Sequence, residues 1–198
     1  GTKAKNDPTT REAAVMTATG STVATFLQMA ILVATARPPL FAVLAPPLAT
    51  GALAALGYMI WAVLRVKAGD APPDVRKRVV SVRAAIVFAV LVGGITLLSS
   101  AVAQELGTSG AVVTAAVAAL ADTHAAAAST ASLHAASRLG TDEAAFTVLL
   151  CLSTNTGTKI VMAFASGTRL YGREVTLGLV IVLTVAWITW GIVRAVGI

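Results

Sequence analysis

Two runs, Ala119-Leu-Ala-Asp122-Thr-His124-Ala-Ala-Ala-Ala-Ser129 and Cys151-Leu-Ser-Thr-Asn155-Thr-Gly-Thr-Lys159, place ionisable and amide side chains inside otherwise apolar sequence. They belong to a segment, Ala111 to Lys159, that also carries His134. Acids and lysines are costly in lipid, so where they occur they face a partner or a hydrated cavity. The fold follows from what surrounds them, which is a series of apolar runs near 20 residues, each long enough to cross a hydrocarbon core of about 30 Å at about 1.5 Å per residue.

Composition agrees. The 198-residue chain is 57% hydrophobic and 12% charged, with a mean hydropathy of +0.83; soluble domains carry roughly 25% charged residues. The expected fold class is all-α, a polytopic transmembrane helix bundle. The net charge of +6 does not imply nucleic acid, because the basic residues sit between apolar runs, where the positive-inside bias puts them. The single Cys151 excludes an intrachain disulfide and any CxxC metal motif. Nothing at the start reads as a signal peptide, and the polar opening without Met is read as the C-terminal part of a longer protein, forming one transmembrane domain over residues 1–198.

Six spans are expected. The first runs from Glu12 to Ala36 and ends at Arg37-Pro38-Pro39, since proline lacks an N–H and restricts the residue before it. Its Thr17, Thr19, Ser21, Thr22 and Thr25 hydroxyls can bond back to helix carbonyls, whereas Gln28 is expected to face protein. The second, Leu40 to Leu64, is expected to kink or begin at Pro46-Pro47. Val66 to Arg83 is a basic, cytoplasmic loop. The third span is Ala84 to Ala103, and Gln104 to Gly110 is a turn. The fourth is Ala111 to Ser137 and the fifth Glu143 to Ser166. Gly167 to Glu174 is read as a turn, and Val175 to Val193 as the sixth span. Counting Lys and Arg on this plan puts 11 inside and 3 outside, with Lys159 in the membrane, so both ends of the chain are expected to be cytoplasmic.

Spans one and two resemble spans five and six. Arg11-Glu12-Ala-Ala matches Asp142-Glu143-Ala-Ala, and Trp61-Ala-Val-Leu-Arg65 matches Trp190-Gly-Ile-Val-Arg194. With two spans between the copies, both have the same orientation, a parallel repeat in which Gln28 aligns with Lys159.

Asp122 lies roughly 18 Å from the outer end of its run and Lys159 roughly 12 Å from the same side, so the two could pair. Asn155 and Lys159, four residues apart, share a helix face, and Asn155-Thr-Gly157 could loosen that helix, exposing carbonyls to an ion. The alternative is a packing face of small residues held by interhelical hydrogen bonds. His124 and His134 are ten residues apart and cannot share one ion on a straight helix. Asp122, His124, Ser129, Asn155 and Lys159 are the candidate site residues, with no metal assigned. There is no nucleophile elbow, HExxH motif or Walker loop, so no enzyme and no cofactor is expected.

At Leu106-Gly-Thr-Ser-Gly110, Ala119 to Ala125 and Asn155-Thr-Gly-Thr-Lys159, the chain resembles the C-terminal membrane domain of unknown function in long MgtC/SapB-type bacterial proteins. His124 stands where that pattern has a second acid. The resemblance implies a bacterial inner-membrane protein connected with magnesium homeostasis and stress adaptation. Two functions are therefore carried forward. One is a transporter-like protein that binds a small ion or solute between spans four and five. The other is a regulatory or assembly protein acting through helix contacts. The lipid bilayer is the expected partner, and self-association is left open.

Overall fold

The computed structural model describes residues 9–65, 110–166 and 168–197, all helical apart from short joints. The basic loop 66–83, the third expected span and residues 104–109 of the expected turn lie outside the described residues. The helices are α1 (Thr9–Ala36), α2 (Pro38–Arg65), α3 (110–118), α4 (Thr123–Ala135), α5 (Thr141–Ser166) and α6 (Arg169–Val196). Four of them, α1, α2, α5 and α6, are long and apolar enough to cross a membrane. Leu27, Leu53, Leu64, Val161, Leu177 and Ile188 on these four are more than half exposed, as lipid-facing side chains are.

Local chemistry explains the ends. Pro38 opens α2, a position where its missing N–H is not needed, so one residue, Arg37, separates it from α1. The helix then runs unbroken through Pro46 and Pro47, where the Thr50 hydroxyl lies 3.0 Å from the Pro46 carbonyl. Between α4 and α5, the Arg138 N–H reaches the Leu133 carbonyl and the Ser137 N–H that of His134. Ser137 has φ 56°, so this is a Schellman turn with serine in the left-handed position usually held by glycine. Glu143 Oε2 accepts from the Gly140 N–H at 3.0 Å, half of a capping box. The expected turn at 167–174 is much shorter, because the Thr168 hydroxyl accepts from the Tyr171 N–H and α6 starts at Arg169.

The chain divides into two compact units. Unit one contains residues 1–30, 44–74 and 156–198. Its packing fixes how its helices run. Tyr58 near the end of α2 donates to the Glu174 carbonyl near the start of α6 at 2.7 Å, while Thr50 meets Thr189 at 3.0 Å; α2 and α6 are antiparallel. Val15, Met16 and Ala18 of α1 share a cluster with Ile160 and Ala163 of α5, and Lys159 reaches Thr22 and Thr25, so α1 and α5 are antiparallel too. The two helix pairs that resemble each other in sequence therefore run in opposite senses. This corrects the expectation of a parallel repeat: equal orientation would place the start of α1 beside the start of α5, and the start of α1 lies beside its end.

Unit two contains residues 31–43 and 75–155. Here the fourth apolar run departs from the expected single span. It is two helices joined at residues 119–122. The short joint 136–140 makes α4 an antiparallel neighbour of α5, which sets Ala126 opposite Cys151. Ala115 joins the same buried cluster, and the Cys151 thiol donates to its carbonyl at 3.4 Å. Were α3 collinear with α4, Ala115 would stand about 16 Å from Ala126 along the axis. Instead the chain bends between α3 and α4, at Ala119 to Asp122, and both helices meet α5 around Cys151.

Candidate functional site

The tip where α3 meets α4 is built by Asp122. The Leu120 and Ala121 N–H groups bond three residues back, to Val117 and Ala118, tightening the end of α3. Asp122 then turns extended, at φ −151° and ψ 106°. Its Oδ1 accepts from the His124 N–H at 2.8 Å and the Ala125 N–H at 3.2 Å. It is thus the N-cap of α4, where a carboxylate satisfies orphan amides and opposes the helix dipole. The Thr123 hydroxyl donates to the Ala119 carbonyl at 3.1 Å. These contacts supply the partners that a helix break deep in an apolar run needs. Cys151 lies ten residues into α5, about 15 Å from its start, and the tip lies about one turn deeper.

Capping predicts a graded response. Asp122→Ala lowers the unfolding free energy by about 1 kcal/mol, and Asp122→Asn by only a few tenths, because Asn and Asp cap almost equally. Unfolding followed by circular dichroism in mild detergent checks this; equal losses in both variants would mean that the charge, rather than the cap, holds the tip.

The Lys159 ammonium lies in unit one and is held by α1. It donates to Thr25 Oγ1 at 3.1 Å, Thr22 Oγ1 at 3.2 Å and the Ser21 carbonyl at 3.5 Å. Among the described residues no carboxylate joins these three oxygens. Asp122 and Lys159 therefore each find their partners within their own unit, and the pairing allowed by their expected depths is not what satisfies either one.

The remaining candidates divide. His124 keeps its backbone N–H on Asp122, while its buried Nδ1 has no hydrogen-bond partner among the described residues. Ser129 is exposed and Asn155 half-buried. No group of three His, Cys, Asp or Glu among the described residues could hold a metal ion. His134 is buried, with Nδ1 3.0 Å from the Leu139 carbonyl, which ties it to the α4–α5 turn. Gln28 is exposed on the surface of the chain, not turned to protein. The helix does not loosen at Gly157, since α5 is continuous from Thr141 to Ser166. Thr22 and Thr25 were legible only as self-satisfied hydroxyls; their three-residue spacing on one face of α1 was the available signal for a partner.

Long apolar helices, an interrupted helix capped by an acid and a span-embedded lysine define a multi-pass helical membrane protein. Within that class the chain belongs to the family of the domain of unknown function DUF4010, whose match covers residues 1–167. No curated protein and no solved structure matches the chain.

Proposed function

We propose that this is a transporter-like membrane protein of inverted topology that binds a small ion or solute, with its candidate polar groups at Asp122, His124, Ser129 and Asn155 in one unit and at Lys159 in the other. The observation that carries the reading is the opposed sense of α1 against α5 and of α2 against α6. Inverted repeats and interrupted helices recur together in secondary transporters, where irregular backbone lines the substrate path.

The arrangement implies a specific path through the bilayer. With α5 running in the same sense as α2, the chain must cross an odd number of times between them. If the third span expected from sequence is that crossing, α3 and α4 together add none. The start of α1 and the end of α6 then lie on opposite faces. Relative to the six-span plan, Arg138 and Arg194 exchange faces with Arg169 and Arg173, so the count of basic residues is again 11 against 3. The positive-inside bias supports both plans equally, and the helix directions favour this one. Placement in a bacterial inner membrane and a relation to magnesium homeostasis rest on the resemblance to MgtC/SapB-type proteins alone, and no catalytic role is proposed.

Reconstituted vesicles test the reading. The parent chain should carry at least one ion from a panel of monovalent and divalent cations, and Asp122→Ala and Lys159→Ala should each cut the flux by tenfold or more. A parent without flux, or unchanged flux in both variants, overturns it.

A further inference from the structure

The oxygens around Lys159 have the chemistry of a cation site. The Thr25 hydroxyl donates its proton to the Ser21 carbonyl at 2.8 Å and the Thr22 hydroxyl to the Ala18 carbonyl at 3.2 Å. With those protons committed to α1, both hydroxyls present only lone pairs to the Lys159 Nζ. The Ser21 carbonyl adds a third oxygen. Thr22 and Thr25 are 2% and 8% exposed, so two of the three oxygens belong to buried side chains, while Ser21 lies at the exposed rim.

We propose that Thr22 Oγ1, Thr25 Oγ1 and the Ser21 carbonyl form a binding site for a monovalent cation of about the size of K+, which the tethered ammonium of Lys159 occupies in this conformation. An anion is disfavoured because it would meet lone pairs on every α1 ligand. A divalent ion is disfavoured because no carboxylate joins the cage among the described residues, and Ca2+ and Mg2+ sites are built with them. Neutral carbonyl and hydroxyl oxygens that replace a hydration shell suit K+, and an ammonium head resembles K+ in size. One positive charge replaces another, so the net charge of the site is the same whether lysine or ion is bound. The ion can enter only when the ammonium vacates. This assignment rests on the transporter-like reading only for its use in ion movement; the binding itself stands without flux.

The test is therefore a binding measurement. Lys159→Ala in detergent is titrated with KCl against N-methylglucamine chloride at constant ionic strength. Its unfolding temperature should rise saturably with K+, and adding Thr25→Val should abolish the rise. A flat response in Lys159→Ala, or a rise that persists with Thr25→Val, overturns the assignment. Should Lys159→Ala fail to fold, the parent chain is decisive. K+ should increase acylation of the Lys159 amine several-fold, read by peptide mass spectrometry, and an amine insensitive to K+ overturns the proposal. Loss of flux with saturable K+ binding would sink the transport reading and leave this site standing.

Discussion

A membrane-impermeant maleimide should separate single cysteines into two groups, with those at Arg65 and Arg169 labelled from one face and those at Ala136 and Ala195 from the other. The native Cys151 is fully buried, and a Cys151→Ser background removes it from the readout. The argument is geometric. Tyr58 on Glu174 and Thr50 on Thr189 fix α2 against α6, so the ends of these two helices, Arg65 and Ala195, emerge on opposite faces. Arg169 starts α6 and must share a face with Arg65. The effect is all-or-none at each position. Six alternating spans would place Arg65, Ala136 and Ala195 together with Arg169 alone opposite. That pattern would remove the inverted arrangement and the functional reading built on it.

The second large effect is steric. Gly178 of α6 lies against the Tyr58 ring and Gly51 of α2 against the Phe26 ring, so closely that a Cβ at either position would overlap the aromatic carbons. Phe26 is 2% exposed, so its ring can yield only by displacing packed neighbours. Small residues at such crossings let helices approach in a membrane, where packing rather than water drives association. Gly51→Leu should cost roughly 3 kcal/mol, at the upper end for overpacking, and Gly178→Leu should also break the Tyr58 bond to Glu174. Gly157→Leu is the control, since a Cβ there meets nothing within 4 Å. Thermal unfolding in detergent should show both crossing variants well below the parent and Gly157→Leu close to it. Equal tolerance at all three positions would contradict the described packing.

Membrane class and the long helices were legible because burial in lipid demands uninterrupted apolar length. Helix ends were less so. Arg169, Arg173 and Glu174 look like loop residues by charge, yet they occupy the first turns of a helix capped by Thr168. At Asp122 the sequence offered two contrary signals. Acid before Thr-His is a helix start, while the alanines on either side favour continuation. The cap prevails because Asp122 satisfies two amides at once. Helix direction was not legible at all, since moving four arginines between faces leaves the basic count at 11 against 3. The surroundings of Lys159 depended on the same unknown. Only when α5 runs against α1 do Thr22 and Thr25 fall beside it.

The stacked pairs at the ends of α2 and α6 set a measure for the bilayer. Arg65 lies 3.8 Å over the Trp61 ring and Arg194 5.6 Å from the Trp190 ring. Because Tyr58 stands opposite Glu174, Trp61 stands opposite about residue 171 of α6. Nineteen residues separate that level from Trp190, about 28 Å along the axis. Two indole rings, each with an arginine beyond it, thus mark planes close to the thickness of an ordinary hydrocarbon core, about 30 Å. A thicker membrane would drag one arginine toward the acyl chains, and a thinner one would tilt the helices. The protein carries its own calliper, one jaw on each of two opposed helices.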